Sequence, residues 1–568
     1  MIKEELKKII NKAIKNLKLG DFNMHEITIV RPTEKSHGDY ATNVSFIIAN
    51  KFKKNPSEIS ELLKKEIDKI KKSEIDKVEV IGGFVNFYLS KDHFINEVKK
   101  VNKDYGKGDE LKNKKVIIDY TDPNPFKEFH IGHLMSNAIG ESLSRIFEFQ
   151  GAKVKRVCYQ GDVGMHVANV IAEKLWSQKG DEIAVWATGL SSTATAYVEG
   201  KKHSKEDPKF EEFVKEVNKK IYNRTDSEVN KLYDSGKELS LKHFDEIYEK
   251  LGTKFDYFIF ESQVADLGKK IVEKGLNDGI FEKGDKGAII FKGEKYGLHT
   301  RVFINSEGIP TYEAKDLALA EIKYKKHHYD KSFVVTGNEV NEYFKVMLSA
   351  MKEVSPKLAE KTKHIGHGML RLPEGKMSSR TGNIITAEFL INKVKELVLE
   401  KIKGRDLLDS EKQEIAEKVA VGAVKYSILK QSIGSDIVYN FDKSVSFEGD
   451  SGPYLQYSYT RAVSVLNKAK QEKIKPSFGK VPSEVSDLEK KMFYFPEAVK
   501  TADEFYEPHY ILLYLTQLAA VFNRYYTKNK IVDKSDEYSC YKIALTEAFT
   551  IIMRNGLWML GIKTLKKM

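Results

Sequence analysis

Two short segments concentrate groups suited to phosphate chemistry. In Phe129-His130-Ile131-Gly132-His133-Leu134, His130 and His133 stand three apart at a predicted helix start, so both rings can face one side. A helix N-terminus offers unpaired N–H groups and partial positive charge, a ready cradle for triphosphate. Gly132 leaves room for an adenine ring or ribose against the backbone. The histidines can donate to oxygens that gain charge at a pentacoordinate α-phosphorus. The second segment is Gly375-Lys376-Met377-Ser378-Ser379-Arg380. Lys376 is a mobile cation able to follow pyrophosphate, Ser378 and Ser379 add donors, and Gly375 and Gly382 are hinges. Alone, the first segment also fits a capped helix and the second an ordinary surface loop. As a pair they point to handling of a nucleoside triphosphate.

The elements around them are legible from periodicity. Val116-Ile117-Ile118-Asp119-Tyr120 is a short apolar run typical of a buried parallel strand, and it leads through a Pro-containing loop into the helix near His130. Residues from about 175 to 255 are polar and helical. Strand signals resume at Ala288 to Phe291, Arg301 to Ile304 and Phe333-Val334-Val335. Strands, helices and strands again fit a Rossmann-type, doubly wound α/β domain over 111–390, split by a helical insertion at about 175–255. Residues 1–110 read as a small α/β domain, with an amphipathic helix through Leu6, Ile9, Ile10, Ala13 and Ile14. In that domain a strand is expected at Glu26 to Val30, a helix start at Asn55-Pro56, and two strands around Gly82-Gly83. Residues 391–568 read as a helical bundle.

Composition narrows the class. A chain of 568 residues exceeds one compact core, and 41% hydrophobic residues suffice for ordinary cores. The net charge of +12 favours a polyanionic partner, although spread-out lysines also suit solvated helix faces. Cys158 and Cys540 are too few for a zinc site of their own. No run of about 18 apolar residues occurs, and the first residues form an amphipathic helix rather than a signal peptide, so a cytoplasmic, non-membrane protein is expected.

Beyond these patterns, the chain resembles the class I arginyl-tRNA synthetases. The two phosphate segments are similar to the ATP signatures of class I. Ser36-His37-Gly38-Asp39-Tyr40-Ala41-Thr42-Asn43 and Gly83-Phe84-Val85-Asn86-Phe87 resemble the family's N-terminal tRNA-contacting domain. Asp122-Pro123-Asn124-Pro125-Phe126-Lys127 resembles its approach to the first signature, with Asp122 in place of the usual Ser. Gly449-Asp450-Ser451-Gly452-Pro453-Tyr454-Leu455-Gln456-Tyr457, Pro508-His509 to Phe522-Asn523 and Leu560-Gly561-Ile562 are similar to its anticodon-binding bundle.

The resemblance implies an arginine–tRNA ligase: ATP, accompanied by Mg²⁺, activates L-arginine as an adenylate, and tRNA(Arg) accepts it. It implies His130, His133, Lys376 and Lys127 for catalysis, and Gly132, Gly375, Met377, Ser378 and Ser379 for ATP. Asp316, Tyr312 and Glu261 would hold the arginine side chain and Asn124 its α-amino end. His37, Asp39, Tyr40, Tyr454, Tyr457, Arg461 and Asn523 would contact tRNA. A monomer without structural zinc is expected. The chemistry of the substrate agrees, since a planar, permanently charged, five-donor guanidinium demands carboxylates and in-plane acceptors. Tyr312 and Asp316 lie four apart on one predicted helical face, as does many an ordinary surface pair.

The chain also departs from the family pattern. Gly337-Asn338-Glu339-Val340-Asn341-Glu342-Tyr343-Phe344 stands where the family carries Gly-Ala-x-Gln-x-x-His-Phe, so Val340 replaces a substrate-contacting Gln. Asn338 or Glu339 is the expected substitute acceptor. Ser379 stands where a second lysine is usual, which leaves Lys127 to share the phosphate load. The rivals are another class I ligase, a silent tRNA-binding paralogue and a small nucleotidyltransferase. The last would not need flanking domains on this scale.

Overall fold

Val116, Ile117 and Ile118 are apolar on both faces of a strand, which requires cover above and below. They lie in β1 (Lys115–Tyr120), buried except at Lys115, the central strand of a five-stranded, wholly parallel sheet. Its partners are β2 (Lys153–Gln160), β3 (Tyr257–Phe260), β4 (Lys331–Gly337) and β5 (Thr362–His367), in the order β5-β4-β1-β2-β3. β4 runs beside β1 in a register that sets Lys331 opposite Val116 and Val335 opposite Tyr120. The chain winds from β1 towards β2 on one side and from β4 towards β5 on the other. The crevice where the winding reverses, at the carboxyl ends of β1 and β4, is where open α/β sheets bind ligands. This computed structural model describes residues 2–20, 22–177, 190–373 and 385–568, with backbone alone at 190–194.

Helix α1 (Ile131–Phe149) follows β1, and α2 (Met165–Ser177) follows β2. The excursion is then helical, as its polarity predicts: α3 (Leu190–Glu206), α4 (Pro208–Asn223) and α5 (Ser227–Leu251). Asp207 and Asp226 cap α4 and α5, the latter accepting from the N–H groups of Glu228 and Val229. Their apolar stripe, including Phe210, Val214, Val217 and Leu232, packs on Val167 and Ile171 of α2. The sheet resumes at β3, followed by α6 (Glu261–Asn277), α7 (Tyr312–His327) and α8 (Asn341–Val354).

Two of the expected returning strands belong elsewhere. Ile289–Phe291 and Arg301–Ile304 pair antiparallel in a separate three-stranded sheet with Glu282–Lys283. Val302 is exposed there, as suits a ribbon with one wet face, whereas the core parallel strands are covered on both. In the N-terminal region the expected strand at Glu26 to Val30 shrinks to Ile29–Val30, the edge of a four-stranded antiparallel sheet. The helix at Pro56 and the hairpin at Gly82-Gly83 form as read, both glycines adopting positive φ.

Seven helices dominate the region after residue 386: Ala387–Ile402, Asp409–Leu429, Gly452–Gln471, Asp487–Phe493, Phe495–Phe505, His509–Lys528 and Ser539–Met559. Compactness groups the chain as residues 1–105 with 465–494 and 524–551, and as residues 106–464 with 495–523 and 552–568. In the first group Lys35 pairs with Asp487 at 2.7 Å and the Arg31 guanidinium lies 3.3 Å from the centre of the Tyr494 ring. Among the described residues no helix is long and apolar enough to cross a membrane.

Candidate active site

The loop after β1 is the strained part of the crevice. Thr121, Asp122 and Phe126 all have positive φ (82°, 50° and 68°), a region that costs a non-glycine residue roughly 1–3 kcal/mol. Neighbouring elements hold it there. The Thr121 N–H donates to Ser136 Oγ at 2.9 Å, whose hydroxyl donates to the Val335 carbonyl at 2.8 Å. Asp122 Oδ1 accepts from the Tyr159 N–H at 2.8 Å, and Asn124 Oδ1 accepts from the Gly161 N–H at 2.7 Å. The Phe126 N–H donates to Ser240 Oγ of α5 at 3.0 Å.

The histidines both cap α1 and face the crevice. His130 Nδ1 accepts from the Gly132 N–H, and His133 Nδ1 accepts from the His130 N–H, each at 3.1 Å. The two rings stack with centroids 3.6 Å apart. With each Nδ1 accepting, the single proton of each neutral ring sits on Nε2. Burial, reinforced by Lys127, pushes the His130 pKa down to about 4, and burial with His130 and Lys127 pushes His133 well below the usual range. Both are therefore neutral donors at pH 7. Lys127 is itself held below the usual lysine range by burial and by Lys201. On the far side, Thr386 bridges antiparallel to His130, and the Ile131 N–H donates to the Ile385 carbonyl at 3.1 Å. Residues 375–379 of the second signature lie outside the described residues, but the chain that follows them is anchored on the histidine segment.

A cavity of about 480 Å³ runs from this end to a second, acidic one. Its walls include His130, His133, Asn124, Glu261, Tyr312 and Asp316, so every proposed arginine-binding side chain lines the same space as the histidines. Asp316 on α7 is reached by the Tyr343 hydroxyl at 2.5 Å. Burial, more than the Tyr343 hydrogen bond opposes it, raises its pKa to about 7. Tyr312, first residue of α7, is 56% exposed and stands at the mouth. Glu261, first residue of α6, is ion-paired at 2.8 Å with Lys315, and both are buried. Its other oxygen converges with Asn124 Oδ1 above Gly161, where a Cβ would stand 2.8 Å from Asn124 Oδ1 and 3.0 Å from Glu261 Oε1. Val340 and Glu339 also line the cavity, while Asn338 is not among its lining residues.

Sequence reasoning missed three groups here. Tyr343 and Tyr159 line the cavity, and Lys315 neutralises Glu261. Only Tyr343 carried a signal, because it stands at the family's histidine position.

Of the proposed tRNA contacts, four converge: the Arg461 guanidinium donates to Asn523 Oδ1 at 2.6 Å, Asn523 Nδ2 donates to the Tyr454 hydroxyl at 3.1 Å, and Arg461 lies 4.8 Å from the Tyr457 ring centre. A pocket of about 260 Å³ lies beside them, lined by Lys401, Arg405, Phe447, Tyr457, Arg461 and Met568. Tyr40 is 1% exposed and serves the core, and Asp39 Oδ2 accepts from the Leu89 N–H at 2.9 Å, tying one strand to its neighbour. His37 and Asp39 are partly exposed. The exposed aromatic pair in that region is Phe46 and Phe84, ring centroids 5.1 Å apart.

Three family descriptions match in sequence: the arginyl tRNA synthetase N terminal domain over residues 4–89, the tRNA synthetases class I (R) catalytic domain over 96–441, and the DALR anticodon binding domain over 455–568. The arginine–tRNA ligase of Clostridium acetobutylicum is 32% identical, covering 99% of this chain and all of that one. That of Halothermothrix orenii is 30% identical, over 100% and 99%. Among solved structures, Thermus thermophilus arginyl-tRNA synthetase matches the fold with a TM-score of 0.80 at 22% identity, over the whole of both chains. A Mycobacterium tuberculosis methionyl-tRNA synthetase complex shares the fold more distantly, with a TM-score of 0.52 at 12% identity over 79% of this chain and 91% of that one.

Proposed function

The chain belongs to the class I arginyl-tRNA synthetases, and on that premise we propose how its residues divide the work of an arginine–tRNA ligase. The observation that carries the reading is the single cavity with neutral histidine donors at one end and buried carboxyl groups at the other. Asp316, with Tyr312 at the mouth, receives the guanidinium. Asn124 receives the α-ammonium, and Glu261, expected on the side chain from the resemblance, is reassigned to share it because its free oxygen meets Asn124 Oδ1 above Gly161, so that the substrate carboxylate points towards the histidines. A carboxylate oxygen attacks the α-phosphorus of ATP, the bond to the pyrophosphate oxygen breaks, and arginyl-adenylate remains. The Nε2–H groups of His130 and His133 donate to phosphate oxygens as charge gathers on them, with Lys127 and Lys376 as cations and Gly132, Gly375, Met377, Ser378 and Ser379 around the nucleotide. A terminal ribose hydroxyl of tRNA(Arg) then attacks the anhydride carbonyl and AMP leaves. No protein nucleophile is needed, since positioning and charge stabilisation suffice.

Mg²⁺ enters with ATP as phosphate counter-charge. Residues 1–110, 111–390 and 391–568 act as tRNA-contacting, catalytic and anticodon-reading segments of a cytoplasmic monomer. Tyr454, Tyr457, Arg461 and Asn523 offer stacking and pairing to unpaired bases, and the exposed Phe46–Phe84 pair offers stacking in the N-terminal domain. The test is amino-acid-dependent pyrophosphate exchange with each of the twenty amino acids, with and without tRNA. Arginine alone should support exchange, and exchange driven by another amino acid instead would overturn the reading.

A further inference from the structure

Val340 leaves the cavity short of one in-plane acceptor, and the structure holds an unassigned polar atom in the same space. The Tyr159 hydroxyl, on β2, is buried and has no hydrogen-bond partner among the described residues. Tyr159 lines the cavity together with Glu261, Tyr312, Asp316 and Tyr343. Its backbone is fixed, since its N–H donates to Asp122 at 2.8 Å in the strained loop, and its ring packs beside the core of Ile117, Val157 and Ile259. A buried hydroxyl without a partner is a standing cost to the fold, which ligand contact would relieve. Burial first, and then the neighbouring carboxyl groups of Asp316, Glu261 and Asp119, hold its own proton firmly. A tyrosine that keeps its proton still carries two lone pairs, so among carboxylates it is suited to accept from a cationic N–H donor.

We propose that the Tyr159 hydroxyl is a guanidinium acceptor that determines specificity for arginine and replaces the amide lost at Val340. The inference rests on the arginine reading given above. Tyr159 lies on the β2 side of the cavity, whereas Asp316 and Tyr343 come from α7 and α8. Together they would bracket a planar, five-donor group from different elements. Neither Asn338 nor Glu339 is needed for that contact.

The test is Tyr159→Phe, which keeps the ring and removes only the hydroxyl. Pyrophosphate exchange is measured with tRNA present, varying arginine and ATP separately. Inhibition by agmatine is measured alongside, because agmatine carries the guanidinium without the carboxylate. The expected result is a fall of about 10- to 100-fold in kcat/KM for arginine, the scale of a hydrogen bond to a charged group, with a matching rise in the agmatine inhibition constant. The KM for ATP should stay within about twofold. Arginine and agmatine constants within twofold of wild type would overturn the proposal. So would an equal loss towards arginine and ATP, which would make Tyr159 a structural residue. If the wild-type enzyme in the same assay activated a different amino acid, the substrate reading itself would fall and the proposal with it.

Discussion

The decisive perturbation is Asp316→Asn, read as a function of pH. Asp316 has a pKa of about 7, because burial disfavours its charge more than the Tyr343 hydroxyl supports it. A guanidinium pairs with the carboxylate, so below pH 7 a proton competes with the substrate. With that pKa the carboxylate fraction falls about tenfold between pH 8 and pH 6, or roughly 1.4 kcal/mol of apparent arginine affinity. The histidines at the other end do not blur this window, since His130 titrates near 4 and burial holds His133 well below the usual imidazole range. Asp316→Asn keeps the shape and an acceptor for Tyr343 but loses the charge. Arginine should weaken by about 2–5 kcal/mol, roughly 30-fold to several thousand-fold, and the remaining pH dependence between 6 and 8 should flatten. The assay is pyrophosphate exchange at several arginine concentrations across that range, with tRNA present and ATP saturating. A wild-type arginine KM that is flat from pH 6 to 8, or a variant within twofold of wild type, would refute the reasoning.

Other outcomes follow from the same geometry. His130→Ala, His133→Ala and Lys376→Ala should each slow single-turnover adenylate formation about 10²–10³-fold, and normal rates in all three would remove the signatures from the chemistry. Pyrophosphate exchange should be nearly absent without tRNA, as the family resemblance implies, and robust tRNA-free exchange would contradict it. Asp122 is pushed well above the carboxylate range by burial and by Asp119, so Asp122→Asn should leave arginine activation within a few-fold of wild type; a loss of 100-fold or more would show that its charge is used. Segments 465–494 and 524–551 fold with residues 1–105, so the N-terminal domain is better tested in place than by deletion. Phe84→Ser should weaken tRNA binding for all anticodon variants, whereas Tyr457→Ala should change discrimination among them, both read by filter-binding titration.

The legible parts of this chain were those whose signal is local. His130 and His133 declare a helix start by spacing, and the helix forms one residue later with both rings as caps. The apolar run at 116–118 declares a buried parallel strand. What spacing could not show is the direction of side chains within strands and the pairing of distant ones. Val157-Cys158-Tyr159-Gln160 drew no strand reading from the sequence, yet it closes β2, where Cys158 is buried while the Tyr159 hydroxyl meets the cavity. Arg301 to Ile304 carries the same strand signal as Phe333 to Val335, and only non-local pairing sends them to different sheets. Tyr40 looked functional because it sits in a family-like motif, and its ring turned out to be core.

The helical insertion has a physical role once its partners are traced. Asp162 follows β2 and is fully buried, so its charge must be compensated. It accepts from the Tyr233 hydroxyl at 2.8 Å and from Lys237 Nζ at 2.7 Å, both on α5. It also accepts from the Ser262 N–H at 2.9 Å and Ser262 Oγ at 2.7 Å. These bonds lower its pKa despite burial, so it remains a carboxylate. Ser262 is the neighbour of Glu261 at the start of α6, and Ser240 of α5 holds Phe126 in the loop that carries Asn124. One insertion helix therefore clamps both loops whose acceptors meet above Gly161. Glu261 and Asp316 already have protein partners in Lys315 and Tyr343, so on the proposed reading selectivity would come from the charge and in-plane hydrogen bonds that a guanidinium adds to them. The excursion thus contributes hydrogen bonds from α5 to both loops that border the cavity.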